Sequence, residues 1–398
     1  MPMFNGPVDE RQVGRIRVIA PGPQSLIQDG GRTGFQHLGV SVSGAVDVDA
    51  LNTGNRLVGN NPDEAAIEIL LGGAEFVFEQ SAVFALTGAE TGATLDGVPL
   101  ARNVSYSAHA AARLVLGMTG PGQGLRAYLA VAGGIDTPEV LGSRSTHVAS
   151  EIGGVDGRAL TAGDSLQIGE PPDAATSGNV FTSTGEGVKV PGSASGSREF
   201  SELPAVNVRV VLGPQDDEFS PNGIRTFLNS TYVVTDQSNR QGLRLDGPEV
   251  ESRTGRYDIV SDAVVNGSIQ VPGDGRPIVL LADRQTTGGY AKIATVATAD
   301  LPLLGQAAPG TSITFASISV EESQELLAAR SKRVLDPEPG RVVDPFSVRV
   351  DDQHVSVGVV ENETARFDHV THIARIAQIA QIDGVAYPIS AERYTPAE

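Results

Sequence analysis

The chain has 398 residues, too long for one ordinary hydrophobic core, and this length predicts two domains, with three as the alternative. It contains no cysteine, which excludes disulfides, thiolate metal sites and a cysteine nucleophile. The net charge of −19, with only three lysines among 29 basic residues, argues against a surface for nucleic acids or anionic membranes.

The composition also indicates the class of fold. The 47 glycines and 24 prolines, with no tryptophan, predict many short elements joined by tight turns, and therefore a mainly β protein. Residues 1–17 lack the apolar core of a signal peptide, and no stretch reaches the roughly 18 apolar residues of a membrane span. A cytoplasmic protein is the expectation.

Three elements are predicted in the first half of the chain. Residues 47–57 have an acidic start and helical apolar spacing, which predicts a short helix. Alternation over 74–79 predicts a half-buried strand, and the apolar run at 127–132 predicts a buried one. Residues 173–203 are rich in Ser, Thr and Gly without apolar periodicity, which predicts a linker or long mobile loop.

The second half of the chain contains the same kinds of short elements. Residues 206–211 alternate as a half-buried strand does, 221–228 begin with proline as a short helix does, and 277–282 form an apolar run typical of a buried strand. From 335 to 398 the composition shifts after a proline-containing spacer, which indicates an extension that is strand-rich or mixed.

Short signatures recur in the same order on both sides of the linker, as a duplicated module leaves them. The matched segments are Arg32–Phe35 with Arg240–Leu243, Ser43–Asp47 with Asn266–Gln270, and Ala162–Ile168 with Pro309–Phe315. Chance likeness of glycine-rich turns is the alternative, and since the intervals differ, a true duplication requires an insertion in the first copy. The predicted organisation is a first module at 13–172, the linker, a second module at 204–334, and the extension.

Four ordered segments carry a resemblance to a known family. They are Gln28–Phe35 running into Gly39–Asp47, Ala130–Ile135 followed by Leu141–Thr146, Gly213–Asp217, and Leu281–Ala294. Over roughly residues 13–334 the chain resembles the group that includes allophanate hydrolase subunit 2, KipA and 5-oxoprolinase component C, the cyclophilin-like biotin-dependent carboxyltransferases.

This resemblance implies a mainly β fold of two cyclophilin-like β-barrel domains with a few short helices. It also implies a partner similar to allophanate hydrolase subunit 1 or KipI. In the 5-oxoprolinase system that pair works with a LamB-type subunit to open 5-oxoproline to glutamate at the expense of ATP. In urea carboxylase the corresponding domains transfer a carboxyl group from carboxybiotin to urea.

The segment from 283 to 292 is a polar, glycine-broken stretch that directly follows a predicted buried strand, where a barrel exposes side chains at its rim. Arg284 is suited to clamp a carboxylate, and Gln285 offers an amide to a lactam or ureido group. Tyr290 and Lys292 are candidates to hold or move a proton. An ordinary hairpin with surface polar residues is the alternative.

Further candidates come from the other motifs. Asp29 and Arg32 flank a flexible turn and are predicted to orient each other or a substrate, a self-capping turn being the alternative. Ser43 lies in a segment that predicts a helix start able to bind an anion, because no nucleophile elbow surrounds it. Gln215 and Asp216 are candidate substrate contacts, although Asp216 or its neighbour Asp217 is equally suited to cap the following helix.

Two absences in the sequence point to groups supplied by other polypeptides. No Walker A loop is present, and no lysine stands in the Met-Lys-Met context at which, by the resemblance, biotin attaches. ATP or carboxybiotin is therefore expected from partner subunits, either a LamB-type subunit or a biotin carrier protein. His369 and His372 lie close in sequence, but without a third spaced ligand we predict no metal site.

Three functions remain open at this level. The first is component C of an ATP-dependent 5-oxoprolinase acting on a small-molecule amide. The second is the carboxyltransferase component of a biotin-dependent urea-type carboxylase. The third is a non-catalytic regulator of the KipA kind that binds a KipI-like partner. The first two place the site in a groove between the barrels, where the segment from 283 to 292 faces Asp29 and Arg32.

Overall fold

In the computed structural model, residues 14–171 and 204–335 are described, together with the backbone of five strands between 342 and 392; side chains are described to residue 330. Chain contacts divide the molecule into two units, Met1–Leu327 and Ala328–Glu398. We call residues 14–171 of the first unit the first region and residues 204–317 the barrel region.

The first region is built from strands that form two sheets around one core. Its strands are β1 (Arg15–Pro21), β2 (Gln24–Gln28), β3 (Ala66–Leu70), β4 (Ala74–Phe78), β5 (Ala82–Gly88), β6 (Thr94–Leu95), β7 (Val98–Pro99), β8 (Ser105–Ala108), β9 (Arg113–Val115), β10 (Arg126–Val131), β11 (Ile135–Asp136) and β12 (Ser165–Ile168). One sheet has the order β11-β12-β1-β4-β9-β6-β7 and the other β2-β3-β10-β5-β8. Phe76 and Phe78 from the first sheet and Phe84 and Leu129 from the second are fully buried in the same cluster.

Helix α1 (Val48–Leu57) covers the outer face of the five-stranded sheet. It begins where the side chain of Asp47 accepts a hydrogen bond from the amide of Ala50 at 2.9 Å, which satisfies one of the free N–H groups of the first turn. Leu51 is fully buried against Tyr128 and Ala130 of β10. The predicted helix at 47–57 is therefore confirmed.

The barrel region closes into a seven-stranded barrel. Its strands are β13 (Val206–Leu212), β14 (Tyr232–Val234), β15 (Gly242–Asp246), β17 (Ser268–Gln270), β18 (Ile278–Leu280), β20 (Lys292–Val296) and β21 (Ser312–Ser317), in the order β13-β20-β17-β18-β15-β14-β21. The parallel pairing of β13 with β21 completes the ring. Helices α2 (Pro221–Asn229) and α3 (Leu301–Gly305) accompany it, and Phe227 of α2 stacks on Phe315 with ring centroids 4.6 Å apart.

Two further strands form an arm beside the barrel. Strand β16 (Asp258–Ala263) pairs with β19 (Thr287–Tyr290) in a separate two-stranded sheet. Asp258 lies opposite Tyr290 and Asp262 opposite Gly288, so three residues of β16 face one residue of β19 in a bulge. Val260 in this bulge is 92% exposed. We refer to β16 and β19 as the arm.

Helix α4 (Val320–Leu335) follows the barrel, and the sequence analysis missed it. Its signal was present: the amide of Glu322 donates to the hydroxyl of Ser319, and the amide of Ser319 donates to the carboxylate of Glu322, which is a capping box. The strands that follow are β22 (Val342–Val350), β23 (Gln353–Val360), β24 (Ala380–Ile382), β25 (Val385–Tyr387) and β26 (Ala391–Glu392). The histidine pair at 369 and 372 lies outside the described residues.

The mainly β class is confirmed, and each of the four strands predicted at 74–79, 127–132, 206–211 and 277–282 overlaps an observed strand. Two of the three pairs differ in structure. Arg32–Phe35 lies in a loop whereas Arg240–Leu243 runs into β15, and Ser43–Asp47 forms a loop before α1 whereas Asn266–Gln270 runs into β17. In the third pair, Gly163 and Gly310 both have positive φ, 96° and 90°, shortly before a strand. The duplication and the module boundaries stay predictions.

The two regions share part of their interior. Val46 of the first region is buried in the same cluster as the barrel residues Leu304 and Ala307. The side chain of Gln306 accepts hydrogen bonds from the amides of Leu125 and Arg126 and donates one to Asp47 at 2.7 Å. The regions are therefore joined by both apolar and polar contacts.

Candidate active site at the junction of the two regions

Three loops meet where the first region contacts the barrel region: residues 28–32, 41–46 and 282–285. The amide of Arg32 donates to the carbonyl of Val42 at 2.8 Å. The hydroxyl of Ser41 donates to the carbonyl of Arg284 at 2.6 Å, and the amide of Ser43 to the carbonyl of Ala282 at 3.1 Å. The structure thus brings together the loops that carry Asp29, Arg32, Ser43 and Arg284.

A glycine makes this approach possible. Gly31 has a φ of +87°, and a Cβ at this position would lie 2.8 Å from the carbonyl oxygen of Val42. Any other residue would both be strained and push the loops apart. The second glycine of the sequence motif, Gly31, is therefore explained by the packing of two loops.

Arg284 is a buried cation without a counter-ion. Its residue is 4% exposed, its Nε has no hydrogen-bond partner, and no carboxylate of the described residues lies within ion-pair distance. Burial lowers the pKa of its guanidinium. Since an unpaired buried charge is costly, this side chain is suited to an anionic group of a ligand.

Asp29 is occupied as an acceptor. Its Oδ1 accepts from the amide of Gly31 and from the hydroxyls of Ser143 and Ser145, and its Oδ2 accepts from the amide of Arg144. These bonds fix the loop at 28–32 to the loop at 143–145. This geometry favours a positioning function for Asp29, and a catalytic role for it at the substrate stays a prediction.

Arg32 also holds the loop at 28–32 against the loop at 143–145. It is fully buried, and its guanidinium donates to the carbonyls of Ser145 and Val140, while its Nη1 has no partner. Burial lowers its pKa, and the charges of Asp29 and Asp283 act in the opposite direction. Because Asp283 precedes Arg284 in the chain, this interaction also places Arg32 near the barrel loop.

Ser43 combines burial with an unusual backbone. It is 5% exposed, its φ is +55°, and its hydroxyl has no hydrogen-bond partner. Such a conformation is rare for a residue with a side chain and is concentrated at functional sites. The hydroxyl is therefore available as a donor at the junction.

A second group of predicted residues lies at the start of β20. The Nζ of Lys292 donates to Asp262 Oδ2 at 2.8 Å, although Lys292 is 2% exposed and the side chain of Asp262 is 52% exposed. Gln215 bonds both backbone groups of Lys292, accepting from its amide and donating to its carbonyl, each at 3.1 Å. Gln215 and Lys292 are therefore direct neighbours.

Gln285 and Tyr290 join this group through Gln270. The side-chain Nε2 of Gln285 donates to Gln270 Oε1 at 3.3 Å, and the Nε2 of Gln270 donates to the main-chain carbonyl of Tyr290 at 3.2 Å. A Cβ on Gly288 would lie 2.3 Å from Gln270 Nε2, so any larger residue there would displace the side-chain amide of Gln270. Residues 284–292 therefore run along the chain from the unpaired guanidinium of Arg284 to the buried Lys292.

Asp216 does not cap helix α2, so that alternative is wrong. The cap is Ser220, whose hydroxyl accepts from the amide of Gly223 at 2.9 Å. Asp216 and Asp217 lie in a 3-10 turn before it, beside Gln215. A ligand contact by Asp216 stays a prediction.

The sequence analysis missed the charged residues that fix the junction. Arg240 donates to Glu68 at 2.6 Å and to Asp283 at 2.8 Å, and Arg126 lies 3.5 Å from Glu68. Burial lowers the pKa of Arg240, but the charges of Asp283 and Glu68 outweigh it, so the pKa is raised. Glu68 offered a signal, because it is a lone carboxylate inside an otherwise apolar strand.

The site group also includes Asp262 and Gln270, which no motif indicated. A cavity of about 540 Å³ opens elsewhere between the two regions, lined by Asp47, Arg102 and Gln306 among others, and no predicted site residue lines it. Within the described ranges, no three acidic or histidine side chains come together as metal ligands, and no helix is long and apolar enough to cross a membrane.

The chain is similar in sequence and fold to several known proteins. The chain is similar to 5-oxoprolinase component C of Escherichia coli, 39% identical over 77% of this chain and 93% of that protein. It is 34% identical to the same component of Haemophilus influenzae over 83% of this chain and 99% of the relative. The crystal structure of the Kluyveromyces lactis urea amidolyase matches with a TM-score of 0.70 and 31% identity over 86% of this chain, which spans about a fifth (21%) of that protein. A family profile described as carboxyltransferase domain, subdomain A and B, matches residues 38–317, and the chain belongs to this family.

Proposed function

We propose that this chain is component C of a 5-oxoprolinase, in which it binds the substrate and assists the opening of its lactam ring. The observation that carries the proposal is the buried guanidinium of Arg284, which has no counter-ion and precedes a run of amide and ammonium groups. The two 5-oxoprolinase relatives support it, since they match over nearly their whole length.

5-Oxoproline has a carboxylate and a lactam, and the site offers a group for each. The planar fork of Arg284 is suited to the carboxylate. The side-chain amides of Gln285 and Gln270 offer both a donor and an acceptor to the lactam. The three groups therefore orient the ring before any bond changes.

Lys292 supplies positive charge where negative charge develops. When water attacks the lactam carbonyl, charge grows on its oxygen, and an ammonium group held in a buried site stabilises it strongly. Tyr290, which is 41% exposed, is placed to exchange protons with solvent at the edge of the site. The ring nitrogen must gain a proton when the C–N bond breaks.

ATP and the remaining components complete this proposal. The partners are a protein similar to allophanate hydrolase subunit 1 or KipI and a LamB-type subunit, and ATP is bound by a partner. The energy for opening a stable lactam then arrives in trans, while this chain contributes binding and charge stabilisation.

The test is coexpression with the two partners, followed by measurement of ATP hydrolysis that depends on 5-oxoproline. Turnover is expected for the complex, and Arg284→Met is expected to lower kcat/KM by about 100-fold or more, since a charge-assisted carboxylate contact is lost. Arg276→Met is the matched control, because Arg276 is exposed and pairs with Asp246 on the surface. No turnover in any combination, or equal activity of the two variants, contradicts the proposal.

Carboxyl transfer is a second candidate, favoured by the structural likeness to the urea amidolyase. In that case Arg284 would bind the carboxyl group of carboxybiotin supplied by a carrier protein. Carboxyl transfer from added carboxybiotin to urea, abolished in Arg284→Met, would identify this activity. The absence of transfer together with 5-oxoproline turnover would reject it.

A further inference from the structure

The ion pair between Lys292 and Asp262 joins two very different parts of the barrel region. Lys292 begins the barrel strand β20 and is 2% exposed, whereas Asp262 belongs to the arm and its side chain is 52% exposed. Strand β16 is exposed along most of its length and is hydrogen-bonded only to β19 in the described sheets. A buried cation therefore depends on a carboxylate carried by an exposed element.

Gln215 braces that carboxylate. Its Nε2 donates to Asp262 Oδ2 at 3.3 Å, the oxygen that also accepts from Lys292. Its Oε1 and main-chain amide at the same time hold the backbone of Lys292. The second carboxylate oxygen of Asp262 accepts from the amide of Ala263 at 2.8 Å. One glutamine thus fixes the lysine and its counter-ion relative to each other.

Several acidic residues surround Lys292, and Asp262 is the one that pairs with it. The hydrogen bond from Lys292 lowers the pKa of Asp262, with help from the Ala263 amide, so this carboxyl stays charged near neutral pH. Asp216 and Asp217 lie on the neighbouring turn and Asp258 at the other end of β16. Among the described residues, the carboxylate within ion-pair distance of the lysine is that of Asp262.

We infer that Asp262 is a positioning residue for Lys292: its carboxylate, held in place by Gln215, fixes the place of the ammonium that meets the substrate. This inference rests on the proposed function only in treating Lys292 as a substrate contact. A buried amine that loses its counter-ion favours the neutral form and is free to move. The arm therefore determines where the ammonium group of Lys292 lies.

Amine acetylation of the chain alone tests this directly. N-Hydroxysuccinimidyl acetate reacts with neutral amines, and mass spectrometry of digested protein reports each of the three lysines separately. In Asp262→Asn, the acetylation rate of Lys292 is expected to rise about tenfold at about pH 8, because the counter-charge is lost. Asp262→Glu is expected to restore a rate near that of the wild type.

Asp246→Asn is the matched control, since Asp246 is an aspartate of similar exposure, 58%, that pairs with Arg276 on the surface. Its Lys292 rate is expected to equal that of the wild type. Because the side chain of Asp262 is half exposed, the exchange for asparagine leaves the core unchanged. An unchanged Lys292 rate in Asp262→Asn, or an equal increase in Asp246→Asn, would overturn the inference.

This readout separates the inference from the proposed function, since it needs neither partners nor substrate. In the active complex, Asp262→Asn is in addition expected to lower kcat by about tenfold or more while KM changes little, because charge stabilisation acts in the transition state. Loss confined to KM would contradict a positioning role, whatever the substrate proves to be.

Discussion

Four arginine side chains are buried in the described part of the chain, and they fall into two kinds. They are Arg32, Arg126, Arg240 and Arg284. Arg126 and Arg240 lie against the carboxylate of Glu68, and Arg240 also pairs with Asp283. Arg284 has no ion pair, and Arg32 is held mainly by backbone carbonyls. Burial of a cation alone therefore does not indicate a binding site; a buried guanidinium with neither a counter-ion nor backbone carbonyl acceptors, as at Arg284, is the stronger candidate.

Removing a paired arginine should have the largest effect on stability. Arg240→Met removes the guanidinium that pairs with the buried Glu68 and the partly buried Asp283, and leaves Glu68 with Arg126 alone, which is expected to cost about 3–5 kcal/mol of unfolding free energy. Urea denaturation followed by circular dichroism measures this. A loss below about 1 kcal/mol would mean that the junction tolerates unpaired carboxylates, and the distinction between the two kinds would fail.

Removing the unpaired arginine should change the unfolding free energy in the opposite direction. Arg284→Met replaces a desolvated charge by an apolar side chain of similar length, so the unfolding free energy is expected to rise by about 1–2 kcal/mol. The same denaturation experiment applies, with Arg276→Met as the surface control. A marked destabilisation would show that Arg284 has a structural role, and the proposed binding role would lose its support.

Burial also affects an acidic side chain, that of Asp47. Burial raises the pKa of Asp47, in spite of its hydrogen bond from Gln306. Its contribution to stability is therefore complete below the unfolded pKa of about 3.9 and is lost as the pH rises through the higher folded value. Relative to Asp47→Asn, the wild type is expected to lose stability as the pH rises from about 4 to about 8.

Parallel urea titrations of the two proteins at both pH values measure this difference. The difference between the variants removes the contributions of the other acidic groups. A constant difference across that range would contradict the direction of the shift.

The smallest expected effect concerns the N-terminal cap of helix α2. Ser220→Ala removes the cap of α2 and is expected to cost about 0.5–1 kcal/mol, whereas Asp216→Ala should change the stability by less than about 0.5 kcal/mol. Thermal denaturation of both variants checks this. An equal loss in the two would restore Asp216 as a capping residue.

The sequence predicted elements well where a local signal exists. Asp47 before an apolar run indicated α1, and alternation indicated β4 and β13, because caps and periodicity act within a few residues. Helix α4 had the same kind of signal in Ser319 and Glu322. It was missed because we interpreted this stretch only as the end of a module.

The site was predictable only in part, for a physical reason. The segment from 284 to 292 was found because its residue types are unusual after a buried strand. Asp262 and Glu68 depend on partners 30 and 172 residues away in the chain, Lys292 and Arg240, and no local pattern reports such a pairing. The hydrogen bonds that the hydroxyls of Ser143 and Ser145 donate to Asp29 are likewise visible only in the three-dimensional structure.

The shared interior around Val46 and Gln306 has a consequence for how the molecule folds. A side chain of one region completes the core of the other, and one glutamine satisfies backbone groups on the far side of the boundary. Neither piece alone can satisfy its own interior. The two regions should therefore melt in a single cooperative transition, and fragments that carry them separately should gain order only when mixed.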